Sequence, residues 1–225
     1  MIMPNYHIID SGNSNLKLAT FNSQGELIKR LDHLSEDDLV LFSQENRNDF
    51  FASCSVNLKF EDLDSIEQFE KVRAQLDFET NYSKQLGSDR FAIAYYIQKK
   101  YPIHKHTIIN AGTFITVDFI EDGKHLGGYI FPGPQTYLNS FEAGKNLPVL
   151  KVSNLKKIDS FPLNTEDAIT SSLKYLLDSI LDLAKGSEVH LTGGASHLFR
   201  EDVKEDKNLL FKSLFYIFIN SVWKS

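Results

Sequence analysis

Cysteine is almost missing from this chain: Cys54 is the single one in 225 residues. One thiol excludes an intramolecular disulfide framework and points to a reducing compartment. It follows Phe50, Phe51, Ala52 and Ser53, a setting for a buried structural thiol rather than a nucleophile. Basic charge is also scarce, with 24 Lys and Arg against 30 Asp and Glu and a formal net charge of −6. Without a long basic run, a nucleic-acid surface is disfavoured. No basic segment precedes an apolar core near Met1, so no secretory signal is expected. The strongly apolar run from Leu209 to Trp223 is broken by Lys212, Ser213 and Asn220. It falls short of the roughly 20 residues a bilayer needs, so a buried or interface helix is expected and no membrane contact. The seven histidines show no metal-ligand spacing. His104 and His106 flank a lysine and are expected in a solvated loop. These absences leave a cytoplasmic globular protein, 42% hydrophobic and 24% charged, long enough for one large domain or two small ones.

What is present is a repeated pattern. In "HIIDSGNSNLKLATF", starting at His7, a short apolar strand runs into Asp10, Gly12, Asn13 and Ser14, and then into an alternating strand over Leu16–Phe21. One reading is a plain β-hairpin turn, since Gly and Asn are what tight turns need. The other is a hairpin that grips phosphate. Gly12 admits a close backbone, Asn13 and Ser14 donate hydrogen bonds, and Asp10 holds a hydrated Mg²⁺. The stretch "IINAGTFITVDFI", from Ile108, repeats the layout: Ile-Ile, a carboxylate or its amide, a small residue, Gly, a polar residue and an alternating strand. Gly12 and Gly112 thus open equivalent hairpins about one small domain apart. The period implies two related lobes, 1–104 and 105–225.

Between and around the hairpins the pattern predicts strands over Glu26–Leu31 and Phe50–Val56 and an acidic helical segment over Ser35–Phe42. Helices are predicted over Ser65–Leu76, Arg90–Lys100 and Asn164–Leu183. The second of these should stop at Tyr101, because Pro102 disfavours the α region for the residue before it. A strand over Glu188–Thr192 leads into a Gly193-Gly194 turn.

Two glycine hairpins facing one cleft suit a nucleoside triphosphate, because phosphoryl transfer needs charge neutralisation more than covalent help. The chain has no GxxxxGK[ST], and no GxGxxG opens a helix, so neither a Walker loop nor a dinucleotide site is expected. Strand–loop–strand phosphate hairpins are the mark of the actin, sugar-kinase and heat-shock ATPase superfamily.

The motifs then become specific. "DSGNSNLK" (Asp10–Lys17) is similar to DxGNTxxK, the first phosphate motif of type III pantothenate kinases. "SCSV" (Ser53–Val56) resembles their SSV strand, and "LGSDR" (Leu86–Arg90) their LGxDR. "NAGTFITVDF" resembles the second phosphate motif, DxGTATTxD, and "LGGYIFPG" (Leu126–Gly133) resembles GGxIxPG. "NLP" (Asn146–Pro148) is similar to the tail of TAxLP, and "LTGG" (Leu191–Gly194) to the adenosine-side motif. The order is that of the family over nearly the whole chain. The resemblance implies an α/β fold of two similar ribonuclease H-like, actin-like ATPase lobes with a nucleotide cleft between them. It also implies ATP-dependent phosphorylation of pantothenate to 4'-phosphopantothenate, the first step of coenzyme A synthesis. A kinase-fold binding or regulatory protein of the Bvg accessory factor kind, or a kinase for another small hydroxylated acid, are the alternatives.

Residue by residue, the resemblance places ATP phosphates against Asp10, Ser11, Gly12, Asn13, Ser14, Asn15, Leu16 and Lys17 and against Gly112 and Thr113. Adenine would lie by Gly193 and Gly194, which could equally be a strand-to-helix turn. Asp89 resembles the general base, a carboxylate held at hydrogen-bond distance from the substrate hydroxyl. It also suits a helix cap, and both roles can hold together. Gly87, Ser88, Asp89, Arg90, Tyr82 and Gly144 are the expected substrate contacts, Arg90 as a fork of donors for a carboxylate or phosphate. Asp10 would hold Mg²⁺ through water. Asp118 is either a metal or water contact or an outward strand residue. The family's cation-holding aspartate is Asn110 here, which bears on a monovalent cation such as K⁺ or NH₄⁺. The family's substrate threonine falls on Gly144, its substrate tyrosine on Thr80 with Tyr82 nearby, and its helical glycine on Ser172. A homodimer is expected, from the family and from the apolar stretches Phe131–Phe141 and the helix ending at Trp223.

Overall fold

The computed structural model describes residues 3–11, 15–54, 66–102, 104–155, 161–200 and 202–223. Contacts group the chain into two compact units. The first comprises Met1–Glu79, Ser83–Tyr96 and Asn208–Ser225, the second Thr80–Tyr82 and Ile97–Lys207.

In the first unit, β1 (Tyr6–Ser11), β2 (Leu16–Phe21) and β3 (Leu27–Leu34) form a meander, and β4 (Phe50–Cys54) and β5 (Ile66–Gln68) add parallel strands on the far side of β1. The order is β3-β2-β1-β4-β5. Successive side chains on β1 point to opposite faces. Ile9 joins Leu16, Leu18, Leu39, Phe51 and Ile66 in one core, with Leu39 supplied by α1 (Glu36–Glu45). A capping box starts α1, where Ser35 and Asp38 satisfy each other's backbone N–H. Tyr6 instead packs with Phe215 and Trp223, at ring distances of 5.6 and 5.2 Å.

In the second unit, β6 (Lys105–Ala111), β7 (Phe114–Glu121) and β8 (Lys124–Pro132) repeat the meander, and β9 (Glu188–Thr192) pairs parallel with β6. The order, β8-β7-β6-β9, is that of β3-β2-β1-β4. Ile109 and Ala111 face a core built with α5 (Thr165–Leu183), through Ile169, Leu173, Leu177, Ile180 and Leu181. The 3.6-residue spacing of those five marks the buried stripe of an amphipathic helix. Asn164 caps it by accepting from the Asp167 N–H at 2.9 Å.

Several expectations shift. The helix expected over Ser65–Leu76 is strand β5 followed by the short α2 (Phe69–Arg73), because Ile66 pairs with Phe51 and extends the sheet. The expected strand to Val56 is described only to Cys54. The C-terminal helix α6 (Leu209–Ser221) was expected in the second lobe but belongs to the first unit, where Phe215 stacks on Phe21 at 4.6 Å. Its apolar faces are filled there: Phe218 is fully buried and Trp223 is 7% exposed. In the Phe131–Phe141 stretch Leu138 is buried and Phe131, Tyr137 and Phe141 are partly buried against the second core. His106 is not in a solvated loop; it is a buried residue of β6. Among the described residues, no helix is long and apolar enough to cross a membrane.

Candidate active site

In the first unit the hairpin strands set Asp10 opposite Lys17 on β2 and beside Cys54 on β4. Cross-strand partners share a face, so Lys17 and Cys54 flank Asp10 on its own side of the sheet. Lys17 Nζ lies 3.5 Å from Asp10 Oδ2. Burial pushes the Asp10 carboxyl above its usual range. Lys17 opposes that shift, the Asp89 charge adds to it, and Arg30 lowers it slightly. The Cys54 thiol is pushed well up by burial and then by Asp10, Asp89 and Glu70, so it is a protonated, inert neighbour. The Asp89 charge thus bears on both Asp10 and Cys54. Gly12, Asn13 and Ser14, the tip of this hairpin, lie outside the described residues. Asn15 beyond it holds the His33 ring at 2.9 Å. Ser11 ends β1 and Leu16 opens β2, buried in the core.

Asp89 stands in the first turn of α3 (Ser88–Lys100), half-buried, with Arg90 buried behind it. The helix begins where the Gly87 carbonyl accepts from the Phe91 N–H at 2.8 Å. A Cβ on Gly87 would come 3.0 Å from Asp89 Oδ1, so glycine leaves that carboxylate its place. The loop ahead of α3 is pinned from α2. Arg73 donates to the Leu86 carbonyl at 2.8 Å and covers the Phe91 ring at 4.6 Å, while Ser88 donates to the Glu70 carboxylate. Glu70 and Arg73 were missed because nothing in a predicted surface helix tells which of its charged residues reach the loop ahead of α3.

The second unit assembles a separate set. Asn110 lies opposite Thr116 and beside Thr192. Thr116 Oγ1 is buried with no hydrogen-bond partner among the described residues. At the hairpin tip, the Thr113 carbonyl accepts from the Gly133 N–H at 2.9 Å and from Thr136 Oγ1 at 2.8 Å. The start of α4 (Pro134–Asn139) thereby fixes the tip, with Gly112 and Thr113 exposed. Gly193 is brought against the same hairpin: its φ is +97°, and a Cβ would fall 2.3 Å from the Ala111 carbonyl oxygen. Only glycine tolerates both conditions. Gly194 has open space at its Cβ position.

Other expected residues are placed differently. Asp118 is buried and bonded to His125 Nε2 at 2.9 Å, and His125 Nδ1 meets Thr80 Oγ1 at 2.7 Å. That chain fastens the Thr80–Tyr82 segment to β8, where the Asn81 N–H also donates to the His125 carbonyl. Asp118 thus points into a structural network, not outward. Tyr82 packs beside His125, with ring centres 6.1 Å apart. Gly144 sits in a turn whose N–H donates to the Phe141 carbonyl, and a Cβ there would press on the Leu147 side chain at 2.7 Å. Ser172 accepts from the Tyr137 hydroxyl at 3.0 Å.

The model of the type III pantothenate kinase family matches residues 7–182, a span that takes in both hairpins and the Asp89 helix. The chain belongs to that family. It is 30% identical over 215 residues to a type III pantothenate kinase of Campylobacter hominis, covering 92% of this chain and 95% of the relative. A Helicobacter pylori (strain HPAG1) type III pantothenate kinase is 26% identical over 197 residues, 85% of this chain and 80% of its own. Among solved structures, one described as a conserved Baf family transcriptional activator from Campylobacter jejuni matches with a TM-score of 0.70 at 25% identity, covering 95% of this chain and 98% of that one. A Sinorhizobium meliloti structure described as a 2-dehydro-3-deoxygalactonokinase matches at a TM-score of 0.57 and 9% identity, covering 98% and 97%, and shares the fold alone. Membership of the type III pantothenate kinase family makes the protein a kinase, on a fold shared with the 2-dehydro-3-deoxygalactonokinase structure.

Proposed function

We propose that the protein transfers the γ-phosphoryl group of ATP to the hydroxyl of pantothenate, yielding 4'-phosphopantothenate for coenzyme A synthesis. The observation that carries this reading is the buried Asp10 of β1 paired with Lys17, together with Asp89 at the start of α3, in a chain of this family. Asp89 is the base: its half-buried carboxylate accepts the proton of the attacking hydroxyl. Arg90 and the first-turn N–H groups of α3 favour an anionic acceptor. Lys17, half-exposed beside Asp10, carries positive charge toward the nucleotide phosphates. The Asp10 carboxylate, a hard oxygen donor paired to a lysine at 3.5 Å, fits a hydrated Mg²⁺. That ion would neutralise phosphate charge when bound. In the second unit Thr113 and the glycines Gly112, Gly193 and Gly194 line the nucleotide side. Asn110 and Thr116 offer neutral oxygens, a donor set that holds K⁺ only weakly.

A homodimer belongs to the same proposal. Its support is the outer strand β8, where Tyr129 is 53% and Ile130 58% exposed. The test is to incubate the protein with ATP, Mg²⁺, KCl and a panel of small hydroxylated acids including pantothenate, and to read products by mass spectrometry. A phosphopantothenate signal well above the rest supports the proposal. Phosphorylation of another acid, or ATP left intact with all of them, overturns it.

A further inference from the structure

Far from the hairpin tips, β6 and β9 place three metal-ligating side chains together. In their parallel register His106 lies beside Glu188, and His190 follows Glu188 by two residues. Residues two apart on a strand share a face, and so do lateral neighbours, so all three side chains rise from the same side of the sheet. His106 Nδ1 is 3.1 Å from His190 Nε2 and 3.6 Å from Glu188 Oε2. All three ligand atoms lie within 4.8 Å of one another. Bonds of about 2.0–2.1 Å at tetrahedral angles put neighbouring ligand atoms roughly 3.3 Å apart, between those two distances.

We propose that His106, Glu188 and His190 form a binding site for a divalent transition metal of the Zn²⁺ class. Two imidazoles and one carboxylate are the donor set such ions select over Mg²⁺, which prefers an all-oxygen octahedron. The site is open on one side. His106 is buried and backed by the Tyr101 ring at 5.6 Å, whereas the Glu188 side chain is 59% exposed. The ion therefore enters past Glu188, and water completes its coordination. Its role is to clamp β6 to β9. His106 stands four residues before Asn110, about 13 Å along the strand, so the clamp is separate from the phosphate end and does not depend on the kinase proposal. Ligating histidines usually hand their second ring nitrogen to an acceptor. His106 Nε2 has no partner among the described residues, which lowers the expected affinity by about 10–100-fold relative to a fully supported site.

The test uses the full-length protein, stripped with EDTA and titrated with Co²⁺ and then Zn²⁺. One Co²⁺ per chain is expected, with the intense visible absorption of a tetrahedral ion, displaced by Zn²⁺, and a Tm that climbs with free Zn²⁺. Glu188→Gln and His190→Gln, at exposed and half-buried positions, should each weaken binding at least about tenfold without lowering the metal-free Tm. His33→Gln and His197→Gln, exposed histidines elsewhere, should leave it unchanged. Absent saturable binding, or binding indifferent to Glu188→Gln and His190→Gln, overturns the site.

Discussion

The two hairpins share a strand order, yet their equivalent positions differ in charge. Asp10 is flanked by Lys17 and Cys54; Asn110, at the same place in the second sheet, is flanked by Thr116 and Thr192. The first lobe therefore keeps a buried carboxylate at a cost in desolvation, eased by one lysine. In the second lobe the strand neighbours at that spot are neutral, Thr116 and Thr192. A fold repeated twice does not require a repeated chemistry. The strand pairing is the same in both copies, while the charge at the equivalent position differs.

Exchanging the two residues tests that contrast. Among changes within the hairpins, the largest effect is expected for Asp10→Asn, which should lower kcat by about 10²–10³. Its effect on stability has the opposite sign. The folded Asp10 carboxyl titrates above its unfolded value of 3.8. Its stabilising contribution is thus complete below that value and lost as pH rises through the folded value. At neutral pH the charge burdens the fold, so Asp10→Asn should raise Tm. A lower Tm would show that the ion pair with Lys17 outweighs burial.

The glycines give the next contrast. Gly193→Ala forces a Cβ onto the Ala111 backbone in a left-handed conformation and should cost about 2 kcal/mol or more. Gly194→Ala meets open space and should stay within about 0.5 kcal/mol. Denaturant midpoints measure both, and equal costs would mean that the LTGG turn is not held against the hairpin. Asn110→Asp makes the second hairpin like the first. Activity at low salt should rise and its potassium dependence steepen, read by titrating KCl against NaCl. Saturation of the unaltered protein at low-millimolar potassium, unchanged by the substitution, would break the link between Asn110 and the cation.

The smallest effect concerns His7. Its Nε2–H donates to Asp49 Oδ2 at 3.0 Å, which leaves Nδ1 to accept from Thr20 Oγ1 at 2.9 Å. Burial holds this ring below the usual histidine range, more than the Asp49 carboxylate raises it. A depressed folded value contributes stability that is present above the unfolded pKa of 6.5 and lost as pH falls through the folded value. Denaturant stability should therefore decline as pH drops below about 6.5, and His7→Gln should flatten that slope. A slope unaltered in His7→Gln would assign it to other groups.

Much of the fold was legible because the hairpins declare themselves locally: Ile-Ile, a polar residue, Gly and an alternating strand set both meanders and their register. Asp89 was legible as a helix start through Gly87 and the apolar run behind it. What stayed hidden depends on distant pairing. Ile66 reads as helical until β4 offers it a partner, and α6 reads as a buried or an interface helix until Phe21 and Tyr6 decide for burial. His106 looks solvated beside Lys105, and only the β6–β9 register brings Glu188 and His190 to it. Asp118 read as either a metal or water contact or an outward strand residue, and neither reading foresaw its buried bond to His125, seven residues on.

In the proposed reaction the first unit's carboxylates do the chemistry while the second unit's Asp118 holds structure. Steady-state turnover and Tm of Asp89→Asn and Asp118→Asn, measured side by side, test it most directly. Asp89→Asn should lower kcat by about 10²–10⁴, with ATP affinity and Tm nearly unchanged. Asp118→Asn should lower Tm by weakening the His125–Thr80 chain, while the folded fraction keeps kcat within about tenfold. Near-normal turnover in Asp89→Asn, or collapse of turnover at unchanged Tm in Asp118→Asn, would contradict the account.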